Sequence, residues 1–338
     1  MKPRTVVALF LLLVIAAAAV VAGFFWANLY RPGETARTEV EIPAGLSGRD
    51  VLRLLHRDGL LPSPIAGRLY LRYAAEDRSI RFGHYRFPTG SRPVDILEKI
   101  LDGRVEMVSV TVVEGSDLAA VATQMAAAGI GDEAEWLAMG ERVDLIADLI
   151  PGATSLEGFL FPDTYQFAEG TGVEAAARHL VDRFRSVWRE ETEAEHPAGP
   201  ELWGDPYDVV ILASLVEAET SLTEERDRVA GVYLNRLRRG MLLQCDPTVI
   251  FSLKRREEWT GRLLRIHWGV DDSYNTYRYP GLPPGPINSP GRAAIRAAIA
   301  PDNHSFLYFV ASPEGGHTFS RTLAEHNRAV AVWLRSRR

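Results

Sequence analysis

The sequence predicts an α+β protein: a single N-terminal transmembrane helix (residues 1–31), a small α/β module (32–150) and a mainly helical domain (151–338). Three observations carry this. The chain opens with a long uncharged apolar run, a strand–glycine–helix pattern then recurs at constant spacing, and beyond residue 150 long helical patterns take over. The 338 residues suffice for two domains and an appendage. Apolar residues at 46% and charged residues at 24% are ordinary globular usage. A net charge of -6 argues against a nucleic-acid partner, which calls for a basic face. The lone Cys245 excludes an intramolecular disulfide and a cysteine-based metal site.

Lys2 and Arg4 precede the uncharged stretch Thr5–Tyr30, whose apolar core, Val6–Trp26, would reach roughly 31 Å as a helix at ~1.5 Å per residue, a bilayer core's thickness. That exceeds the usual signal-peptide core of about 7–15 residues. Phe24, Phe25, Trp26 and Tyr30 stand where an interfacial aromatic belt belongs, and the preceding basic residues place the N-terminus in the cytoplasm. The alternative is a cleaved signal peptide with a small-residue site around Ala19–Gly23. On either reading residues 32–338 lie outside the inner membrane.

Arg31–Thr35 reads as a linker. Val40-Glu41-Ile42 then leads through Gly45 to an amphipathic stretch ending at Gly59, and Val110–Val113 leads through Gly115 to another ending at Gly129. β-Branched runs predict strands, and a 3.6-residue apolar period closed by glycine predicts helices. A weaker third copy starts at His84–Phe87. Such units resemble LysM-like modules, which bind glycans containing N-acetylglucosamine; the alternative is a small α/β packing domain.

Beyond residue 150, Leu156–Tyr165 is an aromatic turn segment and Val173–Arg189 has helical spacing. His196–Gly204 reads as a loop. Val209–Glu219 is an apolar helix with Asp205 or Asp208 as N-cap. Arg226–Arg239 is amphipathic, with Val229, Val232, Tyr233 and Leu237 inward and Gly240 closing it. Asp271–Pro290 is a long Pro/Gly/Asn/Tyr-rich loop of the kind that usually carries function. Phe306–Val310 reads as a buried strand, and Thr322–Arg335 as a closing helix.

Glu217 and Glu219 end the otherwise apolar helix. Residues two apart on a helix point about 200° apart, so they are not a catalytic pair. A glutamate against an apolar wall has its charged form disfavoured, which suits a general acid at neutral pH. The alternative is two solvated glutamates at a helix end. Leu243–Thr248, Tyr274–Tyr277 with Gly281–Ile287, and Gly315–Phe319 supply amide, hydroxyl and aromatic groups suited to a sugar polymer, though each also reads as a plain turn.

Together, Ala213–Thr220, Val232–Leu237 with Leu243–Ile250, Tyr274–Tyr277 with Gly281–Ile287, and Tyr308–Ala311 with Gly315–Phe319 resemble the endolytic murein transglycosylases, as does Glu157-Gly158 with Pro162–Tyr165. The resemblance spans nearly the whole chain in order. It implies a lysozyme-like helical active-site core with Glu219 as the catalytic acid–base. The implied reaction is non-hydrolytic cleavage between N-acetylmuramic acid and N-acetylglucosamine, leaving a 1,6-anhydro end. One carboxyl group serves this, whereas standard glycosidases use two.

Glu217, Asn235, Gln244, Asp246, Asn275, Tyr277 and His317 are expected as substrate-binding or supporting residues. Cys245 departs from the threonine common in the family. No cofactor or metal is expected. The implied partners are peptidoglycan glycan strands, the inner membrane and peptidoglycan synthases. Two rivals remain, a muramidase using a second carboxylate such as Asp246 and a non-catalytic peptidoglycan scaffold. A pyridoxal-phosphate lyase is disfavoured: it needs a Schiff-base lysine, and Lys2, Lys99 and Lys254 are the only lysines, the last in a charged run that reads as solvated surface.

Overall fold

A computed structural model describes residues 3–32, 38–43, 45–74, 80–194 and 204–337. Lys2, the linker residues Gly33–Thr35 and most of the loop read over His196–Gly204 (196–203) lie outside the described residues. The chain divides into two compact units, residues 1–108 with 166–171, and residues 109–165 with 172–338. The two echoed strand–helix segments therefore fold in different units.

The first unit begins with α1 (Pro3–Phe25), continued by a π-helical turn (Trp26–Tyr30). Among the described residues this is the one helix long and apolar enough to cross a membrane. Its apolar side chains are exposed up to Phe24; Phe25 is half-buried against the unit's core, and Leu29 is buried in it with Val40, Leu55, Tyr85 and Ile100. The core is built on β1 (Glu39–Ile42), α2 (Gly48–Arg57), α3 (Pro64–Ala74), β2 (Gly83–Arg86) and α4 (Pro93–Leu101).

β1 alternates exposed Glu39 and Glu41 with buried Val40 and Ile42, as a strand with one covered face must, and pairs antiparallel with β2 so that Val40 faces Tyr85. Ser47 caps α2 by accepting from the Asp50 amide. Gly67 lets α3 approach closely: a Cβ there would lie 2.7 Å from Leu52 and 2.8 Å from Leu61.

The strands β3 (Met107–Thr111) and β4 (Thr164–Ala168) form a two-stranded sheet, and the unit boundary falls within both. The second unit is mainly helical: α5 (Leu118–Ala127), α6 (Glu133–Met139), α7 (Val173–Glu193), α8 (Pro206–Glu219), α9 (Thr223–Arg238), α10 (Asp246–Arg255), α11 (Arg292–Ile299) and α12 (Leu323–Ser336).

α8 is buried on every side from Val209 to Val216, the mark of a central helix. α11 packs on both α8 and α9 and buries Ala294, Ile295, Ala297 and Ala298, the small alanines among them permitting close approach. Asp205 caps α8 by accepting from the Tyr207 amide. Near the C-terminus β5 (Tyr308–Ala311) and β6 (His317–Ser320) form an antiparallel hairpin on which α12 lies. The strand expected to be buried over Phe306–Val310 is instead half-buried over Tyr308–Ala311, because its sheet has only two strands.

Candidate active site

α8 ends at Glu219 because Thr220 turns extended, and Leu222 bonds the Thr220 hydroxyl before α9 begins. Glu219 therefore sits at the negative end of a helix dipole, which disfavours its ionised form. Burial pushes its carboxyl pKa above the ordinary value; hydrogen bonds from Tyr233 and Cys245 pull it back, while neighbouring Asp246 pushes it further up. The Tyr233 hydroxyl donates to Glu219 Oε1 at 2.7 Å. Burial and the adjoining acidic groups raise the Tyr233 pKa far above its usual value, so this hydroxyl keeps its proton.

Glu217 points elsewhere and is fully engaged. Arg226 Nη2 of α9 donates to its Oε1 at 2.7 Å, and the Gly291 amide at the start of α11 donates to its Oε2 at 2.9 Å. Both charged side chains are buried, at 5% exposure for Arg226 and 6% for Glu217. Desolvation still raises the Glu217 pKa. This pair ties α8, α9 and α11 together.

The wall beside Glu219 comes from the Leu243–Thr248 segment. Arg236, buried on α9, donates to the Leu243 carbonyl at 2.7 Å and to the Leu307 carbonyl at 2.7 Å, fixing this segment against the hairpin. Gln244 has a left-handed backbone (φ 51), uncommon for a residue with a side chain, and bonds the Thr276 carbonyl through its amide. Its side chain is exposed. The turn directs Cys245 inward, where its buried thiol lies beside Glu219 and Tyr233. Asp246 opens α10, and its Oδ1 accepts from the Tyr277 hydroxyl at 2.7 Å and from Trp268 Nε1 at 3.1 Å. Trp268 and Tyr277 stack with centroids 5.1 Å apart and planes 10° apart.

Asn275 is buried, its amide donating to the Trp268 and Val270 carbonyls, so it shapes the loop that carries Trp268. Asn235 donates to the His304 and Phe306 carbonyls and pins the chain leading into β5. His317 Nδ1 lies 2.7 Å from Glu225 Oε2, and its ring is a charge neighbour of Glu219. The long loop is held along α8: the Ile287 amide bonds Ser214 Oγ, and Asn288 bonds the Ser214 carbonyl. Gly158 (φ 88) is needed where this loop passes, since a Cβ would lie 2.6 Å from Pro286.

Glu219 is thus brought together with Asp246, Cys245, Tyr277 and His317, whereas Glu217, Asn235 and Asn275 are committed to backbone or ion-pair partners. Tyr233 and Trp268 were not among the expected site residues. Tyr233 reads as one more inward residue of an amphipathic helix, and Trp268 lies where no period marks it.

A glutamate held proton-rich beside hydroxyl and aromatic groups can donate a proton to a leaving oxygen and take one back. The chain matches the model of the YceG-like family over residues 40–332. It is 29% identical over 326 residues to an endolytic murein transglycosylase of Bacillus subtilis, covering 88% of this chain and 85% of that protein. It is 26% identical over 330 residues to an endolytic murein transglycosylase of Streptococcus pneumoniae strain R6, covering 88% of this chain and 58% of that one. The crystal structure of a yceG-like protein from Listeria monocytogenes aligns with a TM-score of 0.57 at 28% identity, covering 86% of this chain and 97% of that one.

Proposed function

This chain belongs to the YceG-like family, and on that premise we propose that it is a membrane-anchored endolytic lytic transglycosylase of peptidoglycan with Glu219 as its single acid–base. The observation that carries the reading is Glu219 itself: a carboxyl at the end of a buried apolar helix, bonded by Tyr233 and raised in pKa by burial.

Protonated Glu219 gives its proton to the glycosidic oxygen between N-acetylmuramic acid and N-acetylglucosamine. The bond from C1 to that oxygen breaks. The C6 hydroxyl oxygen of the same muramoyl ring bonds to C1, and its proton passes to the Glu219 carboxylate. The acid is restored, no water is consumed, and a 1,6-anhydro end remains. The Trp268–Tyr277 stack offers aromatic faces to sugar rings, and the exposed edge of Asp246 and the His317 ring offer polar contacts.

The second unit is read as lysozyme-like in placing its acid at a helix end beside an open wall. Residues 32–150 are read as a LysM-like module that holds the glycan; of its two echoed copies, Val40–Gly59 joins the first unit's strand–helix core and Val110–Gly129 the second unit. The exposed apolar helix α1 is read as the inner-membrane anchor. An anchored cutter would meet strands as synthases extend them and would limit their length.

The test is mass spectrometry of muropeptides released from peptidoglycan by the detergent-solubilised chain and by its Glu219→Gln variant. Anhydro-muramoyl ends made by the parent and absent with the variant are expected. Reducing ends would instead mark a hydrolase with a second carboxylate such as Asp246, and no products from either protein with glycan binding intact would leave a scaffold.

A further inference from the structure

A cavity of about 830 Å³ opens in the second unit, at the end of α10 away from Glu219. Its volume lies within the range of small-molecule and peptide sites. Leu118, Leu137, Phe251 and Trp259 give it apolar walls, and Asp117, Glu157, Lys254, Arg255 and Glu257 give it charge of both signs.

Two of these groups are unusual. Arg255 lies over the Tyr274 ring at 4.9 Å and the Phe251 ring at 5.9 Å, and no carboxylate among the described residues bonds it. A guanidinium laid on aromatic faces keeps its donor edge free for a carboxylate in planar, paired geometry. Glu157 is buried, its two oxygens accept from the Leu118 amide at 3.1 and 3.0 Å, and burial lifts its pKa to about 8. Near neutral pH it therefore keeps a proton to donate. Lys254, in contrast, is exposed, as its charged run suggests, and is already paired with Asp117 at 2.7 Å.

α10 links this cavity to the catalytic wall. Asp246 begins the helix beside Glu219, and Arg255 ends it nine residues on, a span of about 14 Å at ~1.5 Å per residue. An extended pentapeptide reaches about 17 Å at ~3.4 Å per residue. A glycan strand cut at Glu219 carries on each muramoyl ring a short peptide with free carboxylates, an amino-bearing side chain and alanine methyls. That composition matches a cleft with one free guanidinium, acidic groups and apolar walls.

We propose that this cavity binds the stem peptide of the strand being cut, with Arg255 taking a peptide carboxylate and the apolar walls taking the alanine methyls. The inference rests on the peptidoglycan reading above.

The test uses the full chain in detergent and the free pentapeptide L-Ala-γ-D-Glu-L-Lys-D-Ala-D-Ala, with binding followed by calorimetry. Saturable binding is expected, weakened at least ten-fold by Arg255→Ala and also by Trp259→Ala, with thermal melting as a fold control. Cutting is assayed in parallel on intact glycan strands and on strands stripped of peptide by an amidase. The ratio of kcat/KM on intact over stripped strands is expected to fall at least ten-fold in Arg255→Ala. No saturable binding by the parent chain, or equal binding by parent and both variants, overturns the proposal. If peptide binding fails while Glu219-dependent cutting persists, only this proposal falls. If cutting fails while peptide binding survives Glu219→Gln and is lost in Arg255→Ala, the catalytic reading falls and the peptide site stands.

Discussion

Tyr233 reaches across from α9 to hold Glu219, its hydroxyl 2.7 Å from Oε1, although the two are 14 residues apart in sequence. The bond favours the ionised carboxyl while burial opposes it, and burial prevails. Removing the hydroxyl alone tips this balance further toward the protonated form. A general acid works while protonated, so activity is lost as pH rises through its pKa. Tyr233→Phe is expected to move the alkaline limb of the pH–rate profile to higher pH. An unmoved limb would mean that Glu219 does not set it.

The two glutamates of α8 are expected to separate cleanly. Glu219→Gln abolishes anhydro-product formation and keeps the fold, because a neutral amide replaces a carboxyl whose charge burial already penalises. Glu217→Gln leaves buried Arg226 with only the longer Glu114 contact at 3.7 Å, a change expected to cost ~3 kcal/mol, while each folded molecule keeps activity within a few-fold. Urea melts paired with product analysis check both.

Glu157 gives a stability signature in pH. Its folded pKa of about 8 lies above the ordinary 4.5, so the folded state holds this proton more tightly than the unfolded state. Its contribution is therefore fully favourable below 4.5 and lost as pH rises through 8, on the order of a few kcal/mol. Glu157→Gln, which can still accept from the Leu118 amide, is expected to melt higher than the parent at pH 8.5 and to narrow the gap at pH 5. Equal shifts at both pH values would rule out the titration.

Cys245 is fully buried, and burial beside Glu219 pushes its thiol pKa well above normal. Thiolate is the reactive form, so the native chain is expected to resist iodoacetamide at pH 8 and to be labelled once unfolded in urea, as read by intact-mass spectrometry. Cys245→Thr supplies a hydroxyl donor to the same carboxyl and is expected to retain activity.

The Trp268–Tyr277 stack is expected to act on binding. Trp268→Ala should raise KM for glycan strands about ten-fold and alter kcat less, since an aromatic platform holds the ground state and transition state alike. A loss confined to kcat would argue that Trp268 acts through Asp246 instead.

Much of this was legible in the chain. The apolar run of α8 ending in two glutamates marked a central helix, and the 200° argument separated Glu217 from Glu219 before any contact was known. Of the two caps the sequence offers for α8, Asp205 is the one used, and α12 begins after Thr322, close to the helix expected over Thr322–Arg335. Other features were invisible because they depend on distant segments meeting. The apolar period of α9 cannot distinguish a core tyrosine from one whose hydroxyl reaches a carboxylate. The amides of Asn235 and Asn275 suit sugar hydroxyls on paper, but backbone carbonyls 71 and 5 residues away claim them. The echo between Val40–Gly59 and Val110–Gly129 reflects local strand–helix chemistry, which says nothing about which core each copy joins.

Leu29 gives the anchor a mechanical meaning. The helix that begins at Pro3 runs on until one of its own side chains is buried in the first unit's core, so under the proposed anchoring no slack would separate lipid from protein there. The first unit would then stand off the bilayer at a height set by helical rise, with its azimuth following helical phase. Inserting one alanine after Trp26 would lift that unit by about 1.5 Å and swing it by roughly 100°, a coupling that a flexible tether of any length would absorb.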